Sequence, residues 1–121
     1  MAVLLCGCLR DEEAEPKKNP TIAFKTGAGY TFANDTVPQN DTLLIGAVME
    51  RGDDRLVLFK LLSRFDNNPA LTADSLADPG SSFTFDKTIL TRSQPGTEVW
   101  TFWLQESDGD IIRRSITLTV Q

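Results

Sequence analysis

From Pro20 onward, hydrophobic and polar residues alternate in short runs, and clusters of Gly, Pro, Asn and Asp separate these runs. The segment 82–91 shows the pattern clearly, because Phe83, Phe85 and Ile89 fall on one face and polar residues fall between them. No segment sustains the 3.6-residue period of an amphipathic helix. The pattern therefore predicts β-strands, at residues 21–24 with a continuation at 30–32, and at 42–50, 55–65, 82–91, 97–106 and 110–120.

Two stretches between these runs lack a clear strand pattern. Residues 37–41, which contain Pro38 and Asn40, are predicted to form a turn. Residues 70–80 fit either a short strand or a helical turn through 72–76, and the sequence alone leaves both open.

About seven strands in roughly 100 residues predict an all-β fold, an antiparallel Ig-like β-sandwich with Greek-key connections. A closed barrel is the alternative. The hallmarks of antibody domains are missing: no cysteine pair can join the sheets, the third strand has no Trp, and Tyr30 is the one tyrosine. The similarity to immunoglobulin domains is therefore expected in architecture only.

Strand phase also predicts which residues face the core. In the strand 97–106, Trp100, Phe102 and Leu104 form the more apolar face. Trp103 and Thr101 then lie on the outer face, where an exposed Trp can stack on a sugar ring or anchor a protein. We therefore predict a ligand-binding site at Trp103 and Thr101, with packing of Trp103 under a neighbouring strand or loop as the alternative.

Composition removes several kinds of chemistry. The chain of 121 residues has 12 Lys+Arg, 17 Asp+Glu, a formal net charge of −5 and no histidine. Histidine-dependent triads and imidazole metal sites are excluded, and the acidic balance argues against nucleic acid as a partner. Glu50, Glu98 and Glu106 lie near strand ends and not along one inner surface, so no catalytic carboxylate pair is expected. We expect no enzyme activity and no catalytic residues.

Aspartates concentrate in the turns that an Ig-like plan brings to one end of the sandwich. These are Asp53, Asp54, Asp78, Asp108 and Asp110. Carboxylates in converging loops can hold Ca²⁺, which takes six to eight oxygen ligands, and Asp53, Asp54, Asp108 and Asp110 are the candidate metal ligands. The alternative is ordinary turn chemistry, because Asp side chains hydrogen-bond the backbone of turns. Apart from this calcium, no cofactor is expected.

Both cysteines lie within the first eight residues, where they cannot join distant parts of a fold. The segment Leu5-Cys6-Gly7-Cys8 resembles the lipobox of bacterial lipoproteins, and Cys8 matches the lipidated position. The acidic run Asp11-Glu12-Glu13-Ala14-Glu15 resembles the export signal of Bacteroidetes-type surface lipoproteins. One departure is that seven residues without a basic region precede Cys8, fewer than a complete signal peptide has.

The rest of the chain adds a second, structural resemblance. Residues 26–30, 44–46 and 96–102 resemble small Ig-like domains of Bacteroidetes-type lipoproteins. Together these features predict a residual signal segment with a lipobox at 1–8, an acidic flexible tether at 9–19 and an Ig-like β-sandwich at 20–121.

The resemblance implies a lipid-anchored module on the outer membrane, exposed at the cell surface. We expect a non-enzymatic binding or adhesion module that recognises a protein or a glycan, or alternatively a structural spacer of a surface complex with no ligand of its own. We expect membrane contact only through the lipid anchor, and a monomer rather than an oligomer.

Overall fold

A computed structural model describes residues 17–121. The predictions for Cys6, Cys8 and the acidic run that follows fall on residues 1–16, outside the described part. The described chain forms eight strands: β1 (Thr21–Phe24), β2 (Asp35–Val37), β3 (Thr42–Glu50), β4 (Leu56–Phe65), β5 (Leu71–Gly80), β6 (Phe83–Leu90), β7 (Gly96–Glu106) and β8 (Ile111–Val120). No helix in this part of the chain is long and apolar enough to cross a membrane.

The strands form two sheets that pack face to face. The three-stranded sheet has the order β1-β3-β6, and the five-stranded sheet has the order β2-β8-β7-β4-β5. All pairs are antiparallel except β2 with β8, which is parallel. The neighbours β8-β7-β4-β5 reproduce the G-F-C-C′ order of immunoglobulin sandwiches, and β3 with β6 reproduces the B–E pair. The predicted all-β, Ig-like sandwich is confirmed.

The ambiguous segment 70–80 is a ten-residue strand, β5, and the helical turn considered for 72–76 is wrong. It pairs with β4 along one edge of the five-stranded sheet. Most of its side chains are exposed. A strand that buries few side chains needs no alternating apolar residues, and the sequence of β5 therefore shows no such pattern. Pairing with β4 determines the strand, because β propensity depends strongly on tertiary context.

The first strand continues later in the chain than the sequence predicts, and its continuation, β2, lies in the other sheet. Tyr30 makes an isolated bridge to Leu44 of β3, so residues 30–32 are not a strand. Val37, assigned to a turn from the sequence, instead belongs to β2 and is buried. A strand of three residues is too short to show a period in the sequence.

The core lies between the two sheets, on the faces that strand phase predicts. Trp100, Phe102 and Leu104 of β7 are buried. The Phe59 ring of β4 is packed against Phe85 at 5.0 Å and Phe102 at 6.0 Å between ring centroids. Ile45, Met49, Leu61, Ile116, Leu118 and Val120 complete the centre of the core.

Charged side chains bridge the two sheets where their edges meet. Arg114 of β8 donates a hydrogen bond to the carbonyl oxygen of Ile22 at 3.0 Å and lies over the Phe24 ring. Asp74 of β5 forms an ion pair with Lys87 of β6 at 2.8 Å. Within residues 17–121, polar side chains and not further strands thus bridge both open edges of the sandwich.

Candidate functional site: an acidic cluster and an outer sheet face

Carboxylates from three parts of the chain meet beside the β7–β8 hairpin. Asp54 lies in the β3–β4 turn, Glu106 ends β7, and Asp108 lies in the hairpin turn. One carboxylate oxygen of each residue lies within 4.8 Å of the others. These three residues are called the acidic cluster below.

Lys17 places its ammonium group among these carboxylates. Its Nζ lies 2.9 Å from Asp54 Oδ2, 3.2 Å from Asp110 Oδ2 and 3.8 Å from Glu106 Oε1, and it also contacts Asp108 Oδ2. The hydrogen bond to Asp54 is the largest cause that raises the pKa of Lys17 above its usual 10.5, and desolvation partly opposes it. The ammonium is therefore held in its charged form.

Glu106 differs from the other members because it is buried. Its side chain is 0% exposed. Neither carboxylate oxygen receives a hydrogen bond from the described residues. An unpaired polar group in the interior is costly and calls for a partner.

The predicted aspartate set is only partly brought together. Asp54, Asp108 and Asp110 all lie around Lys17. Asp53 instead accepts a hydrogen bond from the backbone N–H of Lys18 at 2.7 Å, and Asp78 pairs with Arg55. The two residues that sequence reasoning missed are Glu106 and Lys17. Strict alternation along β7 was the available signal for Glu106, because it shares the phase of the buried Leu104.

Residues 17–19, predicted as the end of the tether, contact the sandwich. The carbonyl oxygen of Lys18 accepts a hydrogen bond from Asp53 N at 2.9 Å. Gly52 leaves room for this approach, because a Cβ at that position would lie 2.3 Å from the same oxygen. These contacts position Lys17 over the acidic cluster.

Trp103 lies on the outer face of the five-stranded sheet, as strand phase predicts, and it is half-buried. Its register neighbours are Lys60 on β4 and Arg113 on β8. Lys60 Nζ lies 4.8 Å from the centre of a Trp103 ring, in cation–π geometry. Beside it, the hydroxyl groups of Thr101 and Ser115 share a hydrogen bond of 2.7 Å.

Apolar, hydroxyl-bearing and cationic side chains surround Trp103 on this surface. None of the outward positions on β4, β7 and β8 is Asp or Glu. In a chain with a net charge of −5, the face is thus locally positive. We call it the outer face and define it by Leu58, Lys60, Leu62, Thr101, Trp103 and Arg113.

The interior of β7 carries two carboxylates, which corrects the expectation that Glu98 and Glu106 lie off the inner surface. Both residues are 1% exposed. Glu98 accepts hydrogen bonds from Arg92 N at 2.8 Å and from Trp100 Nε1 at 3.2 Å. Glu106 lies eight residues after Glu98 in sequence, and eight residue steps span about 27 Å of strand. A glycosidase pair needs a separation of roughly 5–10 Å, so these two do not form one.

A polar latch covers the outside of the three-stranded sheet. Asp86 accepts a hydrogen bond from the Tyr30 hydroxyl at 2.8 Å and pairs with Lys25 at 2.7 Å. The Lys25 hydrogen bond is the main cause that lowers the pKa of Asp86 below 3.8, opposed in part by desolvation. A Cβ on Gly46 would lie 2.2 Å from Asp86 Oδ1 and 2.8 Å from Tyr30 Cε1, so the latch requires glycine there.

A shallow groove of about 180 Å³ lies next to this latch and is lined by residues Tyr30–Asp35. Pockets that enclose small organic ligands usually measure about 300–1,000 Å³. The groove is therefore too small to serve as such a pocket.

Comparison with known proteins gives similarity in structure but not in sequence family. No protein-family model and no curated protein matches the chain. Among solved structures, the chain is similar to murine CRIg, with a TM-score of 0.47 and 16% sequence identity over 85% of this chain and 98% of that chain.

Proposed function

We propose that the chain is a non-enzymatic binding module, lipid-anchored at the cell surface, whose outer face recognises a protein partner with an acidic surface. The observation that carries this proposal is the half-buried Trp103 between the cationic Lys60 and Arg113. Aromatic and arginine side chains are enriched where protein interfaces have their largest binding energy. Complementary charge would steer the partner to this face.

A protein partner is favoured over a glycan because of Lys60. Its ammonium already lies over one face of the Trp103 ring. Stacking of a sugar on that ring face would require Lys60 to move away. A protein carboxylate, in contrast, can pair with Lys60 and Arg113 without disturbing the ring.

The binding proposal can be tested by site-specific crosslinking in the producing cells. A photo-crosslinking amino acid placed at Thr101 should yield a protein adduct, and the same group at Thr88, on the outside of the three-stranded sheet, should not. Trp103→Ala and Lys60→Glu should each reduce the Thr101 adduct at least tenfold. Equal adducts from both positions, or none from Thr101, would contradict the proposal, and binding of the purified chain to a glycan array would favour a glycan instead.

The anchor is tested separately. Leu5-Cys6-Gly7-Cys8 and the acidic run after it support lipidation at Cys8. Metabolic labelling with an alkyne fatty acid should label the wild type and Cys6→Ser, but not Cys8→Ser. Absence of label from the wild type would refute the lipid anchor, and label retained in Cys8→Ser would refute Cys8 as its site. Neither outcome bears on the outer face.

One observation favours the alternative function, a spacer domain in a surface complex. Strand β5 pairs with β4 on one side and, within residues 17–121, with no strand on the other. It also exposes Leu71 and Leu76. A neighbouring chain could extend the sheet there. A crosslinker at Leu76 that captures a protein while the one at Thr101 captures none would identify this function.

A further inference from the structure

We propose that Asp54, Glu106 and Asp108 form a calcium site, and that the ammonium of Lys17 competes with the ion for it. Asp53 and Asp78 are engaged elsewhere, by the backbone N–H of Lys18 and by Arg55. Turn chemistry accounts for one oxygen of Asp108, which accepts a hydrogen bond from Asp110 N at 3.0 Å. It does not account for Glu106, which ends a strand and points into the protein.

The geometry of the acidic cluster fits one ion. Ca²⁺ binds oxygen ligands at about 2.3–2.6 Å, so two oxygens on the same ion lie at most about 5.2 Å apart. The three carboxylate oxygens lie within 4.8 Å of one another. Asp110 lies at the rim, with Oδ2 3.2 Å from the Lys17 ammonium.

Glu106 is the observation that points to a ligand. Its buried carboxylate has no hydrogen-bond donor among residues 17–121, and Lys17 Nζ lies 3.8 Å from its Oε1. That distance is too long for a hydrogen bond. A Ca²⁺ bound between the turns would supply the partner that the lysine does not, because carboxylates bind Ca²⁺ directly through one or both oxygens.

Charge supports the same conclusion. One ammonium can balance only one of the four carboxylates around it, whereas a divalent ion balances two and accepts six to eight oxygens. Lys17 belongs to the segment that enters the sandwich, so binding of the ion would release this segment from the cluster. Calcium binding would thereby change how residues 17–19 are attached to the domain.

The test uses the full 121-residue chain, with thermal unfolding and calorimetric titration in CaCl₂, MgCl₂ or chelator. We expect Ca²⁺ to raise the melting temperature by about 4–8 °C once its free concentration exceeds Kd roughly fivefold. Lys17→Gln should tighten binding roughly fivefold by removing the competing ammonium. Glu106→Gln and Asp108→Asn should each weaken binding at least tenfold.

The control is Asp35→Asn, because Asp35 lies beside Leu118, about 24 Å along β8 from the hairpin. It should bind Ca²⁺ like the wild type. If Glu106→Gln does not fold, Asp108→Asn serves as the same test, since Asp108 is exposed in the turn. The proposal is overturned if neither the wild type nor Lys17→Gln responds to 10 mM Ca²⁺, or if Asp35→Asn loses as much affinity as Asp108→Asn, which would indicate general charge screening.

Discussion

Glu98 is expected to be among the most sensitive polar positions of the sandwich. Glu98 lies between the sheets with an exposed fraction of 1%. Its two carboxylate oxygens accept one hydrogen bond each, from Arg92 N and Trp100 Nε1. Replacement by Ala leaves both donors without their acceptor, the Trp100 indole N–H in a buried position and the Arg92 N–H in a part-buried one. Each unsatisfied buried group costs about 1–3 kcal/mol, so Glu98→Ala should lower the free energy of unfolding by about 3 kcal/mol.

Graded variants test the mechanism as well as the magnitude. Glu98→Gln keeps one acceptor oxygen but turns an NH₂ group toward the second donor, so it should cost about half as much. Trp100→Phe keeps the buried ring and removes the donor. In a double-mutant cycle, Glu98→Ala and Trp100→Phe should be coupled by about 1 kcal/mol or more, because they share one bond.

The assay is urea unfolding followed by tryptophan fluorescence and circular dichroism, with the exposed Glu50→Ala as the control. For a domain of this size, the expected loss corresponds to a fall of roughly 15 °C in melting temperature. A loss below about 1 kcal/mol for Glu98→Ala would refute the reasoning. So would single effects that add within about 0.4 kcal/mol in the cycle.

Two further predictions concern the polar contacts outside the core. Gly46→Ala should destabilise the domain by about 1–3 kcal/mol in the same unfolding assay, because the new methyl group would overlap Asp86 and Tyr30. A change below about 0.5 kcal/mol, which is the size of an ordinary surface substitution, would contradict the proposed packing of these side chains around Gly46. Acid should also destabilise the protein. The pKa of Asp66 is lowered, first by the backbone N–H of Thr97 and then by Arg92, and that of Asp86 is lowered mainly by Lys25. Because both folded-state pKa values lie below the usual 3.8, their stabilisation is present above that pH and is lost as the pH falls through the folded values. Unfolding at pH 5, 4 and 3 should therefore show a smaller acid loss in Asp66→Asn and Asp86→Asn than in the wild type, and identical pH slopes would refute the assignment.

Much of the candidate site could be predicted from local pattern. The alternation along β7 places Trp103 outside and Trp100 inside, because successive side chains of a strand point to opposite faces. The sequence also shows that Asp residues concentrate in the turns. An Ig-like arrangement of strands predicts that Asp54 lies near the β7–β8 hairpin, and the structure places it there. What the pattern lacked was any sign of Lys17, which is 91 residues from Asp108 in the chain and meets it only in the fold.

The amino-acid sequence by itself determined the all-β class, the buried faces of the long strands and the absence of histidine chemistry. These follow from residue type and a period of two, which are local properties. The tertiary structure alone decided the strand character of β5 and β2, whose residues lack a pattern and gain their hydrogen bonds from β4 and β8. It also decided that Glu106 is buried beside Asp54 and Asp108, and that Lys60 covers Trp103. Such neighbours come from distant parts of the chain, and only the register of the sheets and the packing of the turns bring them together.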